Sequence, residues 1–323
     1  MSAVELSVEQ AVRTDGPEAG TRVIRITSGD LQLDVLPDRG LDLGQLRVAG
    51  IPLAFMSGVG FPRWSNDGEG AFARAFGGGI LATCGLRSFG PAGEGQPMHG
   101  RVGSLPAQVT RAGARDDAVV VEGIVRETAL FEEPLELHRR IEVPAGLRTV
   151  RLADSIVNRG SAPTELMTLY HVNFGAPLVG EGTVLHTGAL EVHPRDAAAA
   201  AGIGSWGTFP ELSHPYPEQV FVHELPPAQL VEATVTAASG VSATLRWNST
   251  ELPGLLQWRV ADPAWCVLGV EPCDTPTTGG RADARANGIL RLLEPGHTVT
   301  RTLELEVRLP SSYAQPGTPS PSA

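Results

Sequence analysis

The chain of 323 residues contains no lysine; all 25 of its basic residues are arginine. A Schiff-base mechanism and the phosphate-gripping lysine of a P-loop are therefore excluded. Only three cysteines occur, Cys84, Cys266 and Cys273, and no two share C-x-x-C spacing. Neither a disulfide framework nor a cysteine zinc site is indicated. Every hydrophobic run falls short of the roughly 18 to 20 residues that a membrane-crossing helix needs. Residues 1–20 lack a basic start followed by an apolar stretch, so no secretory signal is read and a reducing, cytoplasmic location is expected. The formal net charge is −11, which argues against a nucleic-acid surface, since that needs clustered cations. A small-molecule partner is expected, with no nucleic acid and no membrane; the oligomeric state stays open.

Glycine and proline are abundant, 38 and 26 residues, and they punctuate short runs rich in β-branched and apolar residues. Strands are expected at 22–27, 31–36, 118–126, 135–143, 148–157, 165–173, 230–237, 241–247, 255–260, 266–270 and 298–307. The segment 135–142 reads L-E-L-H-R-R-I-E and 302–307 reads T-L-E-L-E-V, a period of two that sets one face on a core. A short helix is expected only near 70–76. The fold class is all-β, a large antiparallel β-sandwich, with residues 21–309 as one domain after an N-terminal extension, 1–20. The stretch 197–217, rich in Ala, Gly, Ser and Pro, reads as a long surface loop, and 310–323 reads as a disordered tail.

Proton transfer near neutrality calls for a histidine and a carboxylate. Of the eight histidines, His138, His186, His193, His223 and His297 sit in uninformative contexts and read as structural or solvated; His214, in the long loop, is ambiguous. His99 stands in M-H-G-R-V-G, where glycines permit close backbone approach to a ligand, or simply a turn. His171 ends the apolar stretch L-M-T-L-Y-H, and Asn173, two residues on, points to the same side of a strand. The alternative for His171 is a satisfied core histidine. Glu271 closes the run C-V-L-G-V-E before a proline, where partial burial raises a carboxyl's pKa toward neutrality; the bland reading is a surface strand cap. Asp274 either shares that pocket or starts the next loop.

Arg39 and Asp42 lie in a glycine-flanked turn, L-P-D-R-G-L-D-L-G, which lacks the G-x-G-x-x-G of a dinucleotide site. The run F-G-G-G-I at 76–80 reads as a tight turn or close backbone passage, with Arg74 before it as a ligand donor or a surface ion pair. Among the tryptophans, Trp64, Trp247, Trp258 and Trp265 matter because sugar C–H faces stack on aromatic rings, although a core role is the default.

Taken in order, R-G-L-D-L-G at 39–44, F-G-G-G-I-L-A-T-C-G-L at 76–86, M-H-G-R-V-G-S-L-P-A at 98–107, Y-H-V-N-F-G at 170–175 and V-E-P at 270–272 resemble a divergent branch of the aldose 1-epimerase (galactose mutarotase-like) superfamily. The resemblance covers about residues 20–308. It implies a β-sandwich with a carbohydrate cleft, Glu271 as base, His171 as acid and His99 helping to hold the sugar. Arg74 is the nearest match to an arginine that contacts sugar hydroxyls; Arg39, Arg101, Asn173 and Trp258 complete the expected substrate-binding set. The implied activity is isomerisation at the anomeric centre of a free sugar, without a cofactor.

Two departures stand out. The second histidine is followed by V-N-F-G rather than an aromatic-Phe-Asn stretch, and an acidic cleft ligand between His171 and Glu271 has no obvious counterpart, Glu211 or the His214 region being its expected replacement. Two other readings follow from the same residues. His99, His171 and Glu271 would suit one divalent metal ion serving an isomerase or lyase on an oxidised sugar, and the fold would equally suit a noncatalytic sugar-binding protein. Arg39, Arg74 and Arg101 would suit an anionic substituent on the sugar.

Overall fold

The computed structural model describes residues 4–64, 68, 70–115 and 117–311. The chain opens with β1 (Leu6–Val12), β2 (Arg22–Ser28), β3 (Leu31–Leu36), β4 (Asp42–Val48) and β5 (Ile51–Pro52), paired in that order as an antiparallel meander. Helix α1 (Ala71–Ala75) and β6 (Ala82–Cys84) precede four longer strands, β7 (Gln108–Ala114), β8 (Ala118–Glu127), β9 (Leu135–Pro144) and β10 (Thr149–Asn158). Then come β11 (Thr164–Leu166), β12 (Leu169–Gly175), β13 (Val184–Thr187), β14 (Glu191–Pro194) and helix α2 (Ala197–Ala201). The rest is β15 (Gln219–Glu224), β16 (Leu230–Thr236), β17 (Ser242–Asn248), β18 (Gly254–Asp262), β19 (Trp265–Cys273), α3 (Gly280–Ala286), β20 (Arg291–Leu293) and β21 (Thr298–Arg308).

Beyond the five-stranded meander, an eight-stranded sheet runs β13-β16-β17-β21-β10-β9-β8-β7 and a six-stranded sheet runs β14-β15-β18-β19-β12-β6, with β11 and β20 as a separate pair. One continuous apolar core draws on all three large sheets, with Ile26 and Leu46, Leu137 and Leu305, and Val172 and Val270 among its members. This is the expected all-β sandwich. The stretch 165–173 is two strands in different sheets, because Thr168 leaves the ladder to bind Asp274 with its backbone N–H at 2.9 Å and its hydroxyl at 2.6 Å. Within the expected extension, β1 pairs along its whole length with β2. The stretch 197–217 is not loop throughout, since it begins with α2, whose first turn is capped by the Asp196 carboxylate accepting from Ala199 N–H at 3.0 Å. Most of the expected tail, 312–323, lies outside the described residues.

Strand β9 shows why the sheets are joined as they are. Leu135, Leu137, Ile141 and Val143 are buried, and 136, 138, 140 and 142 alternate toward solvent. The fifth inward position is Arg139, its side chain fully buried. It donates to Asp154 Oδ1 and Oδ2 at 2.9 and 2.7 Å, to Asp42 Oδ1 at 2.7 Å and to Thr83 Oγ1 at 2.8 Å. Thr83 donates in turn to Asp42 at 2.6 Å, and Tyr170 donates its hydroxyl to Asp154 at 2.8 Å. Asp42 belongs to the meander, Arg139 and Asp154 to the eight-stranded sheet, and Thr83 and Tyr170 to the six-stranded one. Removing one partner of such a buried pair leaves an uncompensated charge, at a cost of about 3–5 kcal/mol. Arg139→Ala is accordingly expected to destabilise the protein by about that amount in urea unfolding; a change within error of zero would show that the cluster does not join the sheets.

Candidate active site

The six-stranded sheet has a core face and a cleft face, and strand alternation sorts its residues between them. On β12, Tyr170, Val172 and Phe174 enter the core. His171 therefore turns to the other face. The register Leu169↔Cys273 and Val172↔Val270 sets His171 opposite Glu271, and Leu256↔Glu271 and Trp258↔Gly269 bring Trp258 alongside. His171 Nε2 lies 3.2 Å from Glu271 Oε1. Gly269 makes room for this pair. A Cβ there would stand 2.5 Å from Glu271 Oε1, 3.1 Å from Trp258 Cβ and 3.3 Å from His171 Cε1.

His99 reaches the same cleft from a loop. Its backbone is left-handed, φ 59°, as is that of Gly100, φ 73°. A Cβ on Gly100 would meet the carbonyl oxygens of Gly85 at 2.3 Å and Ser88 at 2.4 Å, so only glycine fits. The His99 ring lies 4.6 Å from that of Phe72 and 5.9 Å from that of His171, between centroids. Trp258 stands edge-on to His171 at 5.4 Å. These groups line a cleft of about 670 Å³ that also takes in Phe55, Phe76, Phe89, Trp265, Arg195 and Glu218.

Burial governs the charges. It raises the Glu271 carboxyl to about 8, helped by the nearby Glu218 carboxylate. It lowers His171 to about 3, with His99 adding to the effect, and lowers His99 to about 4. At pH 7 the pair therefore rests as a carboxylic acid beside a neutral imidazole, the reverse of the states that a base role for Glu271 and an acid role for His171 require. One proton moved across the 3.2 Å gap converts one form into the other. Apart from that contact, Glu271 Oε1, His171 Nδ1 and His99 Nδ1 are buried with no protein hydrogen-bond partner, so each has capacity for a polar ligand.

Glu271, His171, His99 and Trp258 thus converge in one cleft. The other expected ligand residues do not line it. Arg39 is buried elsewhere and donates to the carbonyls of Gly103, Pro62 and Ala75 at 3.1, 3.2 and 3.0 Å, tying three segments together. Arg101 bonds Gln96 Oε1 at 2.9 Å and the Gly95 carbonyl at 3.2 Å. Arg74 is exposed on α1, outside the lining. Asn173 is wholly buried, donating to the carbonyls of Gly79 at 3.1 Å and His171 at 2.8 Å. It is covered by the 76–80 passage, where a Cβ on Gly78 would stand 2.3 Å from the Phe55 carbonyl oxygen. Asp274 starts the loop after β19 and does not line the cleft; besides Thr168, it binds Arg301 at 3.1 Å.

The acidic group of the cleft is Glu218, and neither Glu211 nor His214 lines it. His214 instead pairs with Asp262 at 2.6 Å. Glu218 accepts from Trp258 Nε1 at 3.1 Å and from Arg195 at 2.8 Å. Arg195 and Glu218 flank β14 and β15, short strands with little sequence signature, and only their nearness in space marks them. Among the described residues, the donor atoms of His99, His171 and Glu271 do not form a set within 4.8 Å of one another, whereas those of the exposed Glu191, His193 and Glu224 do.

The family profile described as "Domain of unknown function (DUF4432)" matches residues 18–307. No curated protein gives a sequence match. Among solved structures, a "putative aldose 1-epimerase" from Klebsiella pneumoniae subsp. pneumoniae superposes with a TM-score of 0.86 at 22% identity, covering 95% of this chain and 84% of its own. A galactose mutarotase-like protein from Clostridium acetobutylicum gives 0.69 at 15% identity, with 94% and 98% covered. At these identities the likeness is one of fold, and the fold is the galactose mutarotase-like sandwich.

A raised carboxyl pKa weakens the fold as pH rises. Between about 4.5 and about 8 the folded state keeps a proton that the unfolded chain releases, so stability is full below the lower value and falls through this window. Glu271→Gln abolishes that loss, and its thermal midpoint is expected to gain on the unsubstituted protein from pH 5 to pH 8 by calorimetry. An equal offset at both pH values would mean that the carboxyl titrates normally.

Proposed function

We propose that this chain, which belongs to the DUF4432 family, is a carbohydrate enzyme that exchanges the anomers of a free aldose by opening and closing its ring. The observation that carries this reading is the one-proton pair Glu271/His171, 3.2 Å apart on the floor of an aromatic-walled cleft. Ring opening needs one group to take the C1 hydroxyl proton and another to give a proton to the ring oxygen. The C1–ring oxygen bond breaks as the C1 carbonyl forms, rotation about C1–C2 presents the other face, and the reverse transfers close the ring. In the resting state Glu271 is the donor and His171 the acceptor; after a proton hop between them the roles exchange. Either order needs one proton on the pair, and each turnover returns it.

The neighbours support the same chemistry. Trp258 offers a flat apolar face for sugar C–H groups. His99, held neutral by burial, is a hydrogen-bonding group for a hydroxyl. Arg195, the only cation among the described lining residues, is bound by Glu218 and Asp196, each at 2.8 Å, so an uncharged sugar suits the cleft better than an anionic one.

Glu271→Gln and His171→Ala are each expected to slow anomer exchange by about 10²- to 10⁴-fold, the usual worth of a positioned proton transfer, measured by polarimetry or exchange NMR on a panel of aldoses. Folded variants that exchange at the unsubstituted rate would refute the assignment, and a protein that binds aldoses without accelerating exchange is a binding module. The pH profile of kcat/KM is expected to be flat through neutrality. It should fall above about 8, as Glu271 loses its proton, and toward about 3, as His171 gains a second.

A further inference from the structure

The cleft is longer than one sugar ring. Trp265 and Glu271 stand on the same face of β19, six residues apart in an unbroken strand, hence roughly 20 Å between their Cα atoms. A pyranose built of bonds near 1.5 Å is roughly 6 Å across, so a ring held by Glu271 and His171 does not reach Trp265. The volume agrees, since about 670 Å³ sits mid-range for ligands much larger than a hexose, which has roughly 12 non-hydrogen atoms.

The far end is built for a flat apolar face. Trp265 is 49% exposed although it lines a cleft, and Phe55 lies beside it, ring centroids 6.4 Å apart. Phe55 is locked in place against β12, its N–H donating to the Asn173 carbonyl at 2.9 Å. Gly175 lets that backbone pass, since a Cβ there would stand 2.6 Å from Phe55 Cα. A large aromatic kept half in water at the end of a ligand cleft pays a solvation cost that the core does not recover, and stacking against a sugar face recovers it.

We infer that Trp265 and Phe55 form a second sugar position, and that the substrate is a reducing disaccharide, with its free hemiacetal ring at Glu271/His171 and its other ring stacked on Trp265. This rests on the anomer-exchange reading above. Two linked rings, with the reach of the two side chains, span the distance.

Maltose, cellobiose and lactose all end in a reducing glucose, so comparison with glucose keeps the reacting ring constant. Calorimetric Kd values and exchange-NMR kcat/KM values are to be measured for all four sugars. At least one disaccharide is expected to exceed glucose by about tenfold in both. Trp265→Ala should collapse that ratio toward one, whereas Trp265→Phe, which keeps a ring, should retain most of it. Equal values for glucose and all three disaccharides, or a ratio unchanged in Trp265→Ala, would overturn the second position. Exchange absent for every sugar would defeat the proposed activity alone. In that case tighter disaccharide binding that is lost in Trp265→Ala still supports the second position, and no such difference in binding overturns it.

Discussion

The buried Arg139 guanidinium is the constraint on which the rest of the structure depends. It occupies an inward position of β9 where the alternation calls for an apolar side chain, and four of its five N–H groups are matched by Asp154, Asp42 and Thr83 from three sheets, with the Gly40 carbonyl at 3.3 Å taking the fifth. A charge in such a place is tolerated only when paired and hydrogen-bonded. Tyr170, bonded to the same Asp154, carries this order into β12, one residue before His171. Because side chains alternate with a period of two, a one-residue slip of β12 would send His171 into the core and Tyr170 into the cleft. The Tyr170 hydroxyl on one face and the Asn173 amide on the other hold the register that sets His171 opposite Glu271.

The pair itself is governed by desolvation. Two ionised groups 3.2 Å apart would attract, but Glu271 and His171 are both nearly sealed from water, and burial pushes each toward its neutral form. A site with one mobile proton between a carboxyl and an imidazole is matched to a reaction that takes one proton and returns one. Gly269 contributes by what it lacks. Without a side chain there, the carboxyl folds back into the space between Trp258 and His171, and the acid meets the base on the sheet surface.

Much of this was legible in the sequence. The alternation in 135–143 marks β9 and its buried face, the glycine run at 76–80 marks a close backbone passage, His99 stands out by its glycine-flanked turn, and Glu271 and His171 stand out as polar groups closing apolar runs, although both lie inside strands. The rest was hidden for physical reasons. Strand β12 is buried on both faces, so its residues show no polar alternation to separate cleft from core, and Asn173 looked like a neighbour of the ligand when it was a brace beneath it. Glu218 becomes a site residue through pairing of β15 with β18, a contact between segments about 40 residues apart, and Arg195 through pairing of β14 with β15, neither of which any local pattern encodes.

The placement of Arg39 has a physical cause. A chain with 38 glycines and 26 prolines is rich in loops, and loops carry carbonyl oxygens that no sheet ladder satisfies. With lysine absent, arginine is the only cationic donor, and its planar fork of five N–H groups can bond several carbonyls at once. Arg39 does this for the carbonyls of Gly103, Pro62 and, at the end of α1, Ala75. Arg259 does it on the face of the sheet turned away from the cleft, buried, donating to the carbonyls of Ser205 at 2.8 Å and Thr208 at 2.9 Å. Guanidinium groups spent on backbone carbonyls are not available to a substrate. Among the described lining residues, the cleft is thereby left to imidazoles, carboxyls, aromatic rings and one arginine already held by two carboxylates. That composition fits the uncharged sugar of the proposed reaction better than an anionic one.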